Sequence, residues 1–253
     1  HEDKFDWIPF DRLTNIKKIG EGGFSTVFSA ILDKRILVAL KTLFDSNKTS
    51  DFFKEIEIYL NVQNVDSLKI YGLTQKIETN EYMMVFQYAD IGNLRKFLKE
   101  NSLITTWEIR LSILENVSKF LEIFHEHGYV HADFHSGNIL VKRQHYKSYI
   151  SDLGLSRKDD DNTSKNEIYG VMPYVAPEVL LGQQQFTQAA DIYGFGVVMA
   201  EITGRNLFDG IPFNTDLAIK ICNGFRPEFA PGTPDCYIKL AKQCMNSDPQ
   251  NRP

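Results

Sequence analysis

The stretch His131-Ala-Asp-Phe-His-Ser-Gly-Asn138, followed by Ser151-Asp-Leu-Gly154, carries most of the chemical information in this chain. It places three hard oxygen donors, Asp133, Asn138 and Asp152, in two short polar segments. Such donors suit Mg²⁺, which is held by one or two protein carboxylates together with water and substrate phosphates. An aspartate just before the amide could also accept a proton from a substrate hydroxyl. Single carboxylates are usually caps or turn formers, so their meaning depends on the rest of the chain.

Other sequence motifs lie before and after this stretch, and their order along the chain is informative. Residues 20–27 read Gly-Glu-Gly-Gly-Phe-Ser-Thr-Val, Lys41 ends the run Val-Ala-Leu-Lys, Glu55 follows, and residues 176–178 read Ala-Pro-Glu. Glycines let a backbone approach phosphates and present N–H donors, although the run by itself is equally typical of a hairpin turn. A strand-like run follows it rather than the helix of a dinucleotide site, and no Gly-Lys-Ser/Thr makes it a Walker loop.

The hydrophobic pattern predicts an α+β chain, with strands first and helices later. Short apolar runs predict strands at 15–20, 26–32, 36–43, 68–76 and 82–88, and a helix at 51–62 capped by Asp51. Later helices are predicted by an apolar stripe from Trp107 through Leu111 to Phe124 and by the segments 191–203 and 237–245. Residues 89–93, Ala-Asp-Ile-Gly-Asn, are the expected connection between the two parts.

The amino-acid composition argues against several classes of partner, site and location. The 253 residues carry a net charge of −5, which argues against nucleic acid as the main partner. Three widely spaced cysteines argue against a disulfide framework or zinc ribbon and favour a reducing, cytoplasmic location. The longest apolar run, 192–202, is too short to span a membrane and predicts a buried helix. Because the chain begins at His1 rather than Met, we expect a fragment in which targeting segments could be missing.

Taken in order, these motifs resemble a protein kinase catalytic domain over essentially the whole chain. Ala89-Asp-Ile-Gly-Asn-Leu94 and Asp191-Ile-Tyr-Gly-Phe-Gly196 are most similar to the tyrosine-kinase-like group, especially its expanded fungal branches. The resemblance implies a bilobal fold: an N-lobe at about 10–88 with one helix, a hinge at about 87–92, and a helical C-lobe from about 93 to 253. The family pattern would continue with one more helix.

The resemblance also implies a role for individual residues in transferring a phosphoryl group from ATP to a protein hydroxyl with Mg²⁺. Asp133 would orient and deprotonate the substrate hydroxyl, Lys41 would hold the α- and β-phosphates and pair with Glu55, and Asn138 and Asp152 would bind the metal. Phe86 matches the gatekeeper behind the adenine, and Glu178 and Arg252 match a buried structural ion pair. The implied nucleotide-binding residues are Ile19, Gly20, Glu21, Gly22, Gly23, Phe24, Ser25, Val27, Ala39, Lys41, Phe86, Gln87 and Ala89.

Several positions depart from the family pattern. Ser25 replaces the third glycine, and Ala132 replaces the arginine that normally receives an activation-loop phosphate. His135 stands where serine/threonine kinases carry a lysine that touches the γ-phosphate, and Val171 replaces that lysine's usual threonine partner. With Ala132 present, we expect the activation loop to order without phosphorylation. The acidic run 159–161 would also repel a phosphate on Thr163 or Ser164.

These departures leave alternatives open. A pseudokinase would keep the fold as a binding or scaffolding module, although Lys41, Glu55, Asp133, Asn138 and Asp152 all remain. A kinase-fold enzyme acting on a small molecule would normally lack Ala-Pro-Glu. Clustered histidines at 125, 127, 131 and 135 could bind zinc, but no cysteine or H-E-x-x-H motif joins them. The residues before Ala-Pro-Glu favour serine or threonine as acceptor, and tyrosine stays open as a second acceptor because the tyrosine-kinase-like group includes dual-specificity members. No motif identifies the regulatory partners.

Overall fold

The computed structural model describes residues 6–22, 25–43, 49–64, 67–101, 105–159 and 169–253, and the following statements concern those residues. They form two compact units, the first reaching to Asp90 and the second beginning at Ile91. The first is rich in strands and the second in helices, so the α+β prediction is confirmed.

The N-terminal unit is built on a six-stranded sheet with strand order β1-β5-β6-β4-β3-β2. All neighbours in this sheet are antiparallel except β1 and β5, which are parallel. The strands are β1 (Asp6–Trp7), β2 (Leu13–Glu21), β3 (Ser25–Leu32), β4 (Ile36–Leu43), β5 (Ile70–Lys76) and β6 (Glu81–Gln87), and helix α1 is Thr49–Asn61. Side chains alternate between the two faces of the sheet, and the buried face forms a core that includes Ala30, Leu32, Val38 and Leu40.

Two features of this unit differ from the sequence prediction. Strand β1 lies before residue 10, where the sequence pattern predicts nothing. It forms because Ile8 is buried and donates its N–H to the Leu73 carbonyl at 2.7 Å. Helix α1 begins at Thr49, so the prediction of Asp51 as its cap is wrong. Capping residue types fix a helix end only to within one or two positions.

The C-terminal unit combines helices with short strand pairs. Its helices are α2 (Leu94–Asn101), α3 (Trp107–Glu126), α4 (Pro177–Leu180), α5 (Gln188–Glu201), α6 (Thr215–Cys222) and α7 (Asp235–Cys244). Its strands are β7 (Gly92–Asn93), β8 (Tyr129–Val130), β9 (Ile139–Val141), β10 (Ser148–Ile150) and β11 (Arg157–Lys158). Strand β9 pairs with β7 and β10, and β8 pairs with β11.

Helix α3 buries most of the apolar stripe that predicted it, but Leu111, a member of that stripe, is 52% exposed. The buried face is centred on Ile113, Val117 and Phe120. Since each residue turns a helix by about 100°, Leu111 is rotated away from that face.

Helix α5 forms the centre of this unit and contains the apolar run 192–202 except its last residue, Ile202, which caps the helix. A Cβ at Gly194 would lie 2.9 Å from the Phe134 carbonyl oxygen, and one at Gly196 would lie 2.7 Å from Met245 Cγ. The glycines that interrupt the apolar run therefore allow close approach of neighbouring backbone and side chains. Across the described ranges, no helix combines the length and apolarity needed to cross a membrane.

Candidate active site

Three short strands hold the loop 131–138 in place. The loop leaves β8 at Val130 and enters β9 at Ile139, and Ile139 pairs with Ile150 at the end of β10. The Ser151 N–H and Oγ both donate to the Asn138 carbonyl oxygen, at 2.9 and 3.0 Å. These bonds bring the segments that carry Asn138 and Asp152 next to each other, as their proposed shared role requires.

Asp133 is oriented by two neighbours in its own loop. Asn138 Nδ2 donates to the Asp133 carbonyl oxygen at 3.0 Å and to Oδ2 at 3.1 Å. His135 Nε2 lies 3.5 Å from the same Oδ2. The Gly137 N–H donates to His135 Nδ1 at 2.9 Å, so Nδ1 is an acceptor and the ring proton is on Nε2, facing Asp133. The His135 Nε2–H is thus turned towards the Asp133 carboxylate at 3.5 Å, an electrostatic contact that is longer than a hydrogen bond.

The other oxygen of Asp133 faces Gly170. A Cβ at Gly170 would lie 3.3 Å from Asp133 Oδ1, and Gly170 has a φ of +100°. A side chain at this position would both crowd the carboxylate and strain the backbone. Gly170 was not among the predicted site residues, although a glycine just before Val171-Met-Pro-Tyr174 was a usable signal.

The buried carboxylate of Asp191 anchors the start of the loop. Asp191 is 2% exposed and accepts hydrogen bonds from the His131 N–H at 2.8 Å and the Ala132 N–H at 3.1 Å. It lies in the first turn of α5, whose N-terminus is capped by Thr187 Oγ1. Ala132 has a φ of +65°, a conformation that costs a residue with a Cβ roughly 1–2 kcal/mol. The bonds to Asp191 hold the loop in this conformation.

His125 joins the same buried carboxylate. Its Nε2 lies 3.0 Å from Asp191 Oδ2, and it belongs to the last turn of α3. His127 Nδ1 lies 2.7 Å from the Ile123 carbonyl oxygen of the same helix. Among the described residues, no three His, Cys, Asp or Glu side chains converge as a metal site.

The N-terminal unit contains the Lys41–Glu55 pair. Lys41 Nζ on β4 lies 2.6 Å from Glu55 Oε1 on α1, and the side chains are 9% and 0% exposed. Sheet register places other predicted nucleotide-binding residues beside Lys41. Val27 is opposite Lys41 on β3, Ala39 is two residues before it on β4, and Phe86 is opposite Ala39 on β6. Cross-strand partners and alternate residues share a face, so these side chains lie on one face of the sheet.

The glycine-rich run forms the β2–β3 hairpin. Gly20 pairs with Val27 and Glu21 with Thr26, and the Gly22 N–H donates to the Ser25 carbonyl oxygen at 2.9 Å. Gly23 and Phe24 lie outside the described residues, as do Thr163 and Ser164 and most of the acidic run that begins at Asp159.

The predicted gatekeeper and hinge follow on β6. Phe86 is 5% exposed and packs edge-on against Tyr59 of α1, with ring centroids 5.2 Å apart. The Gln87 N–H donates to the Lys69 carbonyl oxygen at 2.8 Å. Ile19 is 48% exposed on β2, and Ala89 follows β6 in the connection to the second unit.

Comparison with known proteins shows the family of the chain. The family described as protein tyrosine and serine/threonine kinase matches residues 13–253. The chain belongs to this family. A probable serine/threonine-protein kinase of Dictyostelium discoideum is 31% identical over 98% of this chain. In Arabidopsis thaliana, a probable LRR receptor-like serine/threonine-protein kinase is 29% identical over 98% of the chain, and a wall-associated receptor kinase-like protein is 33% identical over 76%. The chain spans about a quarter of the length of these relatives (27%, 27% and 26%).

In this kinase domain, Tyr174 links the segment before Ala-Pro-Glu to the catalytic loop. Its hydroxyl donates to Glu201 Oε2 at 2.6 Å and lies 2.9 Å from Ser136 Oγ. Burial raises the pKa of Tyr174, and the adjacent Glu201 carboxylate raises it further. Ser136 and Glu201 were not identified from the sequence. No spacing rule relates a residue near the end of α5 to the catalytic loop.

The kinase domain also contains the expected Glu178–Arg252 ion pair. Arg252 Nη1 and Nη2 donate to the two Glu178 carboxylate oxygens, each at 2.7 Å. Arg252 further donates to the carbonyl oxygens of Ala189 and Asn246. The pair joins the start of α4 to the residues after α7, so its role is structural.

Proposed function

We propose that this chain is the catalytic domain of an ATP-dependent protein kinase that phosphorylates serine or threonine. The observation that carries the proposal is that a hydrogen bond from Asn138 orients the Asp133 carboxylate in a loop anchored by Asp191, with His135 Nε2 facing the same carboxylate. A general base must be held within hydrogen-bond reach of the proton that it accepts. The serine/threonine kinase names of the relatives support the acceptor class.

In the proposed reaction, the substrate hydroxyl oxygen attacks the γ-phosphorus of ATP and the bond to the bridging β–γ oxygen breaks. ADP leaves, and the hydroxyl proton passes to Asp133. Such transfers depend mainly on positioning and on neutralising charge. Lys41, held by Glu55, would contact the α- and β-phosphates. The face formed by Val27, Ala39 and Phe86 would hold the adenine.

The residues present fit a magnesium ion. Asn138 directs its amide nitrogen to Asp133, so its oxygen is on the opposite side of the planar amide. Asp152 lies in the adjacent segment, two residues after the end of β10, and has a left-handed φ of +65°. When bound, Mg²⁺ would neutralise the charge that develops on the phosphates. Asn138 and Asp152 would be its protein ligands.

His135 stands where serine/threonine kinases carry a lysine, so an imidazole ring replaces an ammonium group at this position. Because its Nδ1 accepts from the Gly137 N–H, we propose that it orients Asp133 rather than supplying a charge to the γ-phosphate. This replacement would reduce the rate without removing the reaction, since the metal ligands, Lys41 and Asp133 are all present.

The test is transfer of labelled phosphate from γ-labelled ATP with Mg²⁺, comparing the wild-type chain with Asp133→Asn. We expect incorporation on serine or threonine, and a loss of at least about 100-fold in the variant, because its amide cannot accept the proton. Asp216→Asn, an exposed residue of α6, is the control for a neutralised aspartate and should retain full activity.

Phosphoamino-acid analysis of the product identifies the acceptor. Label on tyrosine would contradict the serine/threonine assignment. If the folded chain bound ATP but transferred nothing to itself or to generic proteins, the pseudokinase alternative would replace the proposal.

We also propose a cytoplasmic location for this domain, where ATP is available and thiols stay reduced. Cys222, Cys236 and Cys244 are all free in the structure. The receptor-like names of several relatives are compatible with a cytoplasmic kinase domain attached to other segments.

A further inference from the structure

A cleft of about 350 Å³ lies beside the catalytic loop in the C-terminal unit. Helix α2 contributes Arg95 and Lys99 to its wall, and Arg205 comes from the segment after α5. Tyr174 and Glu201 line the cleft from the side of the catalytic loop, and Phe213 contributes an exposed ring. We call this feature the basic cleft.

The charge of the basic cleft is opposite to that of the whole chain. Three cationic side chains face one carboxylate, whereas the full sequence has a net charge of −5. The carboxylate of Glu201 already accepts the Tyr174 hydroxyl at 2.6 Å. Arg205 also pairs with Glu228, but both side chains are largely exposed, at 41% and 63%. Exposed pairs of this kind contribute little and exchange partners readily.

Arg95 connects the basic cleft to the catalytic machinery. Its Nε donates to Ser136 Oγ at 3.3 Å, and its Cζ would lie 3.8 Å from a Cβ placed on Gly137. Its guanidinium also lies over the Tyr174 ring, 5.7 Å from the centroid. The Tyr174 and His135 rings are 5.8 Å apart, and His135 is next to the Asp133 carboxylate. A chain of side-chain contacts through Tyr174 and His135 therefore connects Arg95, in the wall of the cleft, with Asp133.

We propose that the basic cleft selects protein substrates that carry an anionic side chain near the phosphorylated residue. This inference rests on the proposed kinase activity. When the acceptor hydroxyl is at Asp133, an extended peptide advances about 3.3 Å per residue, so a residue a few positions away reaches the cleft. A guanidinium whose position is fixed by Ser136 and Tyr174 is suited to bind a carboxylate or a phosphate through two hydrogen bonds. Aspartate, glutamate and a previously phosphorylated residue share this chemistry.

The experiment measures kcat/KM for matched peptides that contain one acceptor serine. At each flanking position in turn, the peptides carry alanine, glutamate, phosphothreonine or lysine. At one or two positions we expect glutamate to exceed alanine by about threefold per charge contact, and lysine to fall below alanine by a similar factor. If phosphothreonine exceeds glutamate, primed substrates are preferred. If the two are equal or glutamate is better, acidic sequences are the natural class.

Charge reversal assigns the effect to the cleft. In Lys99→Glu combined with Arg205→Glu, we expect the ratio of glutamate to lysine peptides to fall by about tenfold or more and to invert. Lys239→Glu, on the exposed side of α7 and outside the cleft, makes a charge reversal elsewhere in the same unit and should leave the ratio unchanged. The ratio is insensitive to a general loss of active protein, so partial unfolding of the double variant would not imitate the result.

Binding of a fluorescently labelled glutamate peptide, followed by anisotropy without ATP, separates the two hypotheses. If no peptide is phosphorylated but the glutamate peptide binds in a Lys99- and Arg205-dependent manner, the proposed activity fails and the cleft assignment stands. If all peptides are phosphorylated equally, or lysine peptides are preferred, the activity stands and the cleft assignment is overturned.

Discussion

Two buried ion pairs, one in each unit, differ in how completely their groups are satisfied. Arg252 makes two bonds to Glu178 and two more to backbone carbonyl oxygens, so both carboxylate oxygens are paired. Lys41 Nζ lies 2.6 Å from Glu55 Oε1, and among the described residues Glu55 Oε2 has no hydrogen-bond partner. The first pair fixes a scaffold, and the second joins a strand to a helix while leaving one carboxylate oxygen unsatisfied.

The chemical nature of the two cations accounts for part of this difference. A guanidinium remains charged in any protein environment, so a buried arginine depends on its carboxylate. A lysine can lose its proton when its partner is removed. Disruption of the two pairs should therefore affect stability unequally, even though both are buried.

The largest effect is expected for Glu178→Gln. This variant leaves the Arg252 charge buried without its counter-ion and should lower the free energy of unfolding by about 3–5 kcal/mol. Urea denaturation measures the change. Glu115→Gln removes the carboxylate of an exposed pair with Lys119, where Glu115 is 65% exposed, and should change stability by less than about 0.5 kcal/mol. Equal effects of the two variants would contradict the scaffold role of the Glu178–Arg252 pair.

An intermediate effect is expected at alkaline pH from Cys244, which lies in the same unit as Arg252. Burial raises the pKa of the Cys244 thiol to about 11, from an ordinary value near 9. The folded state favours the neutral thiol, so this stabilisation is complete below pH 9 and is lost as the pH rises through 11. Between these pH values, the free energy of unfolding should fall by about 2 kcal/mol more in wild type than in Cys244→Ala, with each protein compared with its own stability at neutral pH.

Cys236→Ala is the matched control for this pH series, because Cys236 is exposed on the same helix. Its stability profile should follow that of wild type. If Cys236→Ala reduced the loss of stability between pH 9 and 11 as much as Cys244→Ala does, that loss would not be caused by burial of the Cys244 thiol.

Among the buried groups compared, the smallest effect on stability is expected for Glu55→Gln. The amide can still accept a hydrogen bond from Lys41, so the free energy of unfolding should fall by only about 1 kcal/mol. The neutral amide would no longer hold the Lys41 ammonium in position. We therefore expect kcat/KM for ATP to fall by about tenfold or more. A loss of stability as large as that of Glu178→Gln, with activity retained, would reverse the comparison between the two pairs.

The sequence predicted those parts of the site in which neighbouring residues act together. Asp133, His135 and Asn138 lie in one loop, so their proximity follows from their spacing. The family resemblance grouped Val27 with Lys41, and the pairing of β3 with β4 places the two residues opposite each other. The weaker predictions concerned element ends and single faces, as Asp51 and Leu111 illustrate, because local signals do not specify where a helix begins or which edge of its stripe meets the core.

The sequence by itself determined the order of the catalytic motifs, the strand-to-helix organisation and the residue types available for phosphoryl transfer. Only the tertiary structure decided that Glu201 and Arg95 meet Tyr174 and Ser136, that Gly170 faces Asp133, and that His125 and His131 share Asp191. The physical reason is that these groups come from elements far apart in the chain. Their distances depend on how whole helices and loops pack, which no local periodicity encodes.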